Sequence, residues 1–187
     1  GCRNSGGIYA PTIRYHKGMF YMITTNVTDK GNFVVHTDNI DGEWSDPAWI
    51  DQGGIDPSLF WDEDDKCYYC STGILDGVRG IVAFEINPMT GEILSDKHLI
   101  SEGCGGQCAE GPHIYKKDGM YYLMIAEGGT EYAHRETIQR SASVWGPYTA
   151  CPHNPIISHK EYKKSEIQAT GHADLIEDAN GNWWLVF

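Results

Sequence analysis

The sequence predicts an all-β fold of the β-propeller type, and three observations carry that prediction. Four segments share one pattern: APTIRYHKGMFYMI (10–23), DPSLFWDEDDKCYYCS (56–71), GPHIYKKDGMYYLMIA (111–126) and HADLIEDANGNWWLVF (172–187). Each leaves a small or turn-forming pair, alternates apolar residues, passes a polar tight turn and returns along an aromatic-rich run, the signature of a β-hairpin. The hairpins recur at intervals of about fifty residues, and no stretch sustains a helical period. Short all-β units at that spacing mean propeller blades of about four strands each. A sandwich would use the same strands but without so regular a four-strand period.

The units follow in order. Residues 8–50 form the first, with its hairpin turn at His16-Lys17-Gly18 and outer strands in FVVHTDNIDGEWSDP (33–47). Residues 54–101 form the second, with a turn at Glu63-Asp64-Asp65 and outer strands in IVAFEINPMTGEIL (81–94). Residues 108–157 form the third, with a turn at Lys117-Asp118-Gly119 and outer strands in TIQRSASVWGPYTACP (137–152). Residues 170–187 open a fourth through Asn180-Gly181. The glycines at 53–54 and the stretch 103–106 are joints between blades, so residues 1–187 belong to one domain. A closed ring needs at least four complete blades, and the chain is therefore expected to form an incomplete toroid. Trp183 and Trp184 face opposite ways on a strand, one toward the core and one toward the neighbouring blade. The acidic run Asp62-Glu63-Asp64-Asp65 reads as a solvated hairpin tip, since it lacks the spacing of a Ca²⁺ loop.

Composition narrows the function classes. The 187 residues carry a formal net charge of -12 and include 12% aromatic residues. Nothing in so acidic a chain would neutralise phosphates, so nucleic acid is excluded as a partner. No run of eighteen apolar residues offers a membrane helix. Eleven Tyr and six Trp suit strands and also suit flat surfaces that stack on sugar rings. Of the six cysteines (Cys2, Cys67, Cys70, Cys104, Cys108, Cys151), Cys67 and Cys70 have CxxC spacing but lie in a strand, where they point to opposite faces and cannot share a zinc. Free thiols in a reducing compartment are the expectation, which leans toward a cytoplasmic location and leaves secretion open.

Glu110, set directly against Gly111-Pro112, is either a solvated turn residue or a proton donor. Asp56-Pro57 poses the same choice between a turn initiator and a functional carboxylate. The strands that begin at these points converge on the axis of a propeller, so Asp56, Glu110 and His172 are expected to point into one cavity from the same point of the repeat.

The segments GGIYAPTIRYHKGMFYMITTN, GGIDPSLFWD, AEGPHIYKKDGMYYLMIAEGGTEY and IQATGHADLIEDANGNWWLV together resemble glycoside hydrolase family 43, and more narrowly its β-xylosidase and α-L-arabinofuranosidase members. The resemblance runs over nearly the whole chain, with four motifs in the family's order. It implies a five-bladed β-propeller, of which this chain would span roughly blades two to four and the start of five. It also implies inverting hydrolysis of terminal β-D-xylose or α-L-arabinofuranose from xylan- or arabinoxylan-type oligosaccharides of the plant cell wall. In that scheme Glu110 is the general acid and Asp56 sets its pKa and orientation. The family's general base is an Asp ahead of the GGIYAPT motif, so residues 1–187 are expected to lack it and to be inactive in isolation.

Elementary chemistry agrees with those roles. Cleavage with inversion needs a proton on the leaving oxygen and a water on the opposite face, with the acid and base roughly 6.5–9.5 Å apart. The acid keeps its proton near neutrality only if its pKa is raised by burial or a neighbouring carboxylate. The Gly111-Pro112 turn would also let a sugar approach the backbone closely.

The resemblance further places His172 in the lining of the central pocket, with a central Ca²⁺ beside it as the lesser alternative to no metal or cofactor. It brings Thr130 of AEGGTEY toward the sugar. Tyr9-Ala10 stands where the family often has Trp-Ala, so Tyr9 and Ala10 are expected to bind substrate. Two other readings stay open: a non-catalytic carbohydrate-binding propeller fragment, and the sucrose- and fructan-cleaving branch, which shows Arg-Asp-Pro and Glu-Cys-Pro where this chain has Ile55-Asp56-Pro57 and Glu110-Gly111-Pro112. Sequence does not separate xylosidase from arabinofuranosidase, nor does it specify an oligomeric state.

Overall fold

The computed structural model describes residues 4–187, so Cys2 lies outside the described residues. Among those residues there are only strands, turns and loops, arranged as four antiparallel sheets in chain order. The first sheet comprises β1 (Thr12–His16), β2 (Met19–Asn26), β3 (Gly31–Thr37) and the short β4 (Ala48–Trp49). The second holds β5 (Ser58–Trp61), β6 (Cys67–Leu75), β7 (Val78–Asn87), β8 (Glu92–Ile93) and β9 (His98–Ser101), with β8 and β9 both on the outer edge of β7. The third holds β10 (Glu110–Lys117), β11 (Met120–Glu127), β12 (Arg135–Ser141), β13 (Thr149–Ala150) and β14 (Ile157–Ser158), and the fourth β15 (Asp174–Glu177) and β16 (Trp183–Val186).

Turn chemistry explains why consecutive strands pair. Lys17-Gly18, Asp76-Gly77 and Asp118-Gly119 all have positive φ at both residues. That is the two-residue turn whose twist matches a hairpin, and glycine at its second position carries no Cβ penalty. The polar turns picked out in the sequence at 16–18 and 117–119 therefore stand where the chain reverses, and Asp76-Gly77 adds a third of the same kind.

The sheets stack face to face. Along β6, Cys67 and Tyr69 join Ile23, Val34, Leu59 and Phe84 in the core between the first and second sheets. Tyr68 and Cys70 turn the other way, joining Ile81, Ile114, Leu123 and Ile125 between the second and third. Period-2 alternation thus feeds two cores from one strand, and full burial of each large side chain contributes about 1.5–3 kcal/mol. Cys67 and Cys70 are on opposite faces, and Cys67, Cys70, Cys104, Cys108 and Cys151 are all free thiols.

Polar contacts join the inner strands. Ser58 Oγ donates to the Pro112 carbonyl at 2.6 Å, and Arg14 of β1 reaches Asp174 of β15. Two expectations need correction. Asp62 is not part of a solvated tip: its carboxylate accepts from Lys116 Nζ at 2.6 Å and from the Tyr121 hydroxyl, and it tethers the second sheet to the third. Trp184 does not pack on a neighbouring blade among the described residues; it is 60% exposed, with its indole N–H on Asp178. Trp183 takes the inter-sheet role instead, edge-on to Tyr115 of β10.

Candidate active site

The site is built at the points where the inner strands begin. Asp56, Gly111 and His172 have φ of 56°, 54° and 53°. Asp56 and His172 stand two residues ahead of β5 and β15, and Gly111 is the second residue of β10; the residue that follows each is Pro57, Ala173 and Pro112 in turn. This left-handed region is open to glycine and, among other residues, best tolerated by Asn, Asp and His. The three turns are therefore one device repeated in three sheets, filled by the residue types that can adopt it.

The equivalent of Asp56 and His172 in the third sheet is thus Gly111, and Glu110 stands one residue earlier. A one-residue offset would send a strand side chain to the wrong face. The pairing of β10 with β11 is irregular between Glu110 and His113, and this bulge re-aims the chain so that the Glu110 carboxyl lies within electrostatic reach of Asp56, His172, His134 and Arg79. Gly111 has a different use from the one expected of it. A Cβ there would lie 2.4 Å from His172 Cδ2, so the space above this glycine holds the His172 imidazole rather than a sugar.

Burial dominates the electrostatics. Asp56 is 7% exposed, and desolvation pushes its carboxyl up to about 6. Glu110 is half-buried, and burial together with the Asp56 charge raises its pKa, against the opposing pull of His172, His134 and Arg79. Burial lowers the pKa of His172, with Glu110 working the other way. Two neighbouring carboxyls that both resist ionisation are unusual in a folded protein and mark a site that handles protons.

Ala10, Asp56 and His172 line one cavity of about 400 Å³ together with His113 and Asp174, whereas Glu110, expected in the same cavity, is not among its lining residues. Tyr9 is not among them either, and its hydroxyl donates to the Ser5 carbonyl at 3.0 Å. Thr130 is exposed in the loop after β11 and is not brought into that cavity. A wider trough of about 950 Å³, between residues 105–107 and 155–162, contains none of the predicted residues. Size alone therefore does not mark the site.

Beside the cavity lies a second polar cluster that sequence reasoning passed over. Arg14 binds Asp174 through both guanidinium nitrogens, at 2.6 and 3.0 Å, and donates to His113 Nδ1 at 3.0 Å. The Tyr115 hydroxyl donates to Asp174 Oδ1 at 2.6 Å. Because His113 Nδ1 accepts from Arg14 it is neutral, and burial drives its pKa down to about 3. Its 3.9 Å approach to Asp174 is consequently not an ion pair. Asp174 would be raised by burial, but Arg14 and the Tyr115 hydroxyl hold it below the usual carboxylate range. A signal existed: Ser58, His113 and Asp174 each stand two residues after a left-handed residue, on the same face of their strands. Among the described residues, no group of three or more His, Cys, Asp or Glu side chains could hold a metal ion.

Stacked antiparallel β-sheets of about four strands each are the architecture of a β-propeller. Comparison with known proteins gives the narrower assignment. The family profile of the glycosyl hydrolases family 43 matches residues 2–187, and the chain belongs to that family, whose fold is a five-bladed β-propeller. Among its relatives, a non-reducing end alpha-L-arabinofuranosidase of Bacteroides ovatus, BoGH43B, is 45% identical over all of this chain and 35% of its own length. A xylosidase/arabinosidase of Butyrivibrio fibrisolvens is 44% identical over 97% of this chain and 38% of its own. The crystal structure of a xylan beta-1,4-xylosidase from Bacillus halodurans superposes with a TM-score of 0.91 at 39% identity, covering 99% of this chain and 38% of the other. The chain thus spans little more than a third of the length of the relatives it matches.

Proposed function

We propose that the protein containing this chain is an inverting glycoside hydrolase that releases terminal β-D-xylose or α-L-arabinofuranose from xylan- or arabinoxylan-type oligosaccharides. The observation that carries the reading is the pair of carboxyls of raised proton affinity, Asp56 and Glu110, at converging strand starts. Residues 1–187 are then part of one catalytic domain.

Glu110 is the general acid. It enters the reaction protonated and gives its proton to the glycosidic oxygen as the bond to the anomeric carbon breaks. Asp56 is the residue that keeps it protonated, because its negative charge above pH about 6 opposes ionisation of Glu110. A water attacks the opposite face of the sugar and loses its proton to a carboxylate base, which we place outside residues 1–187; on that assignment the isolated chain is inactive. Ala10 and His172 contact the sugar from the cavity wall, with Tyr9 at its margin and Thr130 on a loop that bound substrate draws in. No metal or cofactor takes part in these steps.

The test uses the full-length protein. 4-Nitrophenyl β-D-xyloside and 4-nitrophenyl α-L-arabinofuranoside are assayed side by side, and the anomer first released is read by NMR. Cleavage of at least one with inversion is expected; release of the retained anomer, or cleavage of neither, contradicts the reading.

A further inference from the structure

The turn that carries His172 is gripped by an acid from the neighbouring sheet. Glu136, on β12, is fully buried. Its Oε2 accepts the Ala173 N–H at 2.9 Å, the His172 amide also favours the ionised carboxyl, and Oε1 has no protein partner. Successive N–H groups leaving a turn of this hand form a concave site for an acceptor, which Glu136 occupies through the Ala173 N–H. The same segment is fitted to its surroundings at two glycines. Gly171 lies against the His134 ring, where a Cβ would come within 2.6 Å of Cδ2, and Gly111 lies against the His172 ring. A left-handed non-glycine residue is strained unless its surroundings hold it. Here one acceptor and two bare backbone positions do so.

We propose that Glu136 is a positioning residue for the acid catalyst: by holding the Ala173 amide, directly after His172, it seats the His172 imidazole against Gly111 and beside Glu110. The grip needs an acceptor, not a charge. Burial, reinforced by Glu127 and Asp174, pushes Glu136 up to about 8, while the two amides pull the other way, so near neutrality the carboxyl is mostly neutral and bonds through its oxygen. The titratable groups facing the turn also include His134, His172, Glu110, Asp56 and His113. The consequence for catalysis passes through His172, which is one of the groups favouring the ionised form of Glu110. Releasing the ring lets Glu110 hold its proton to higher pH.

The kinetic arm of the test rests on the glycosidase reading, and a spectroscopic arm does not. In the full-length protein, Glu136→Gln keeps an acceptor oxygen and is expected to leave kcat and the pH profile near wild type. Glu136→Leu removes the acceptor at similar volume and is expected to lower kcat by about 10–100-fold at nearly constant KM, and to move the alkaline limb upward. If Glu136→Leu fails to fold, Glu136→Asp, which withdraws the acceptor by one methylene, is expected to show the same shift in weaker form. Independently, the imidazole titration of His172, followed by NMR, is expected to move up toward the ordinary value in the Leu or Asp variant and to stay put in Gln. If wild type cleaves neither glycoside, the glycosidase reading falls and the His172 titration alone decides. A folded Leu or Asp variant with unchanged limb and unchanged His172 titration overturns the inference, as does a Gln variant that behaves like Leu.

Discussion

Two clusters of buried carboxyls sit side by side near the axis, and they are wired oppositely. In one, Asp174 is met by both arms of Arg14 and by the Tyr115 hydroxyl, and its pKa is held down. In the other, Asp56, Glu110 and Glu136 have no cation bonded to them among the described residues, and all three have raised pKa values. Burial is common to both, so burial is not what separates them. The difference is the partner. A carboxylate with a guanidinium partner ties sheets together and stays ionised, whereas one without retains its proton and becomes chemically useful at a cost in stability. Structure and catalysis are thereby divided between neighbouring groups.

The division can be broken from either side. Glu110→Ala should have the largest effect, lowering kcat/KM for unactivated glycosides by roughly 10²–10⁴-fold in the full-length protein with little change in thermal midpoint. Asp56→Asn should cost activity and raise stability. Its folded-state pKa lies above the unfolded one, so the wild-type fold loses stability as pH rises from the ordinary 3.8 through about 6. The Asn variant escapes that loss, gaining at most ~3 kcal/mol above pH 6 and nothing at the acid end; urea melts at several pH values measure it. Arg14→Met should do the reverse, costing about 2 kcal/mol or more by leaving Asp174 and His113 without their donor. His113 sharpens the same side. Its folded pKa is depressed, so it contributes stability above the ordinary 6.5 that is lost as pH falls toward about 3, and His113→Gln should flatten that part of the profile. Thr130→Ala should be the mildest, changing KM by about threefold or less, since that side chain is exposed and outside the cavity.

Much of this was legible in the sequence because it is periodic. Alternation and turn residues located the hairpins, and the opposite facing of Cys67 and Cys70 followed from period 2 alone. The motifs around Asp56 and Glu110 pointed to the carboxyls. What escaped depends on contacts between residues far apart in the chain. Arg14 and Asp174 are 160 residues apart and meet only once the sheets are stacked, so neither looks different from a solvated charge. Asp62 was lost the same way, its partner Lys116 being on another sheet. The one-residue offset of Glu110 was hidden because a bulge is a register event, visible only in the pairing of β10 with β11. Gly111 was recognised as special for the wrong neighbour, a sugar in place of the His172 ring.

The central claim is that Glu110 supplies the proton to the leaving group. Full-length wild type and Glu110→Ala can be compared on xylobiose or an arabinofuranosyl oligosaccharide, which need that proton, and on a 2,4-dinitrophenyl glycoside, whose leaving group departs without it. The account predicts a loss in kcat/KM on the oligosaccharide larger by at least about 10²-fold than the loss on the dinitrophenyl substrate. Equal losses on the two substrates, or near-full activity of Glu110→Ala on the oligosaccharide, would contradict it.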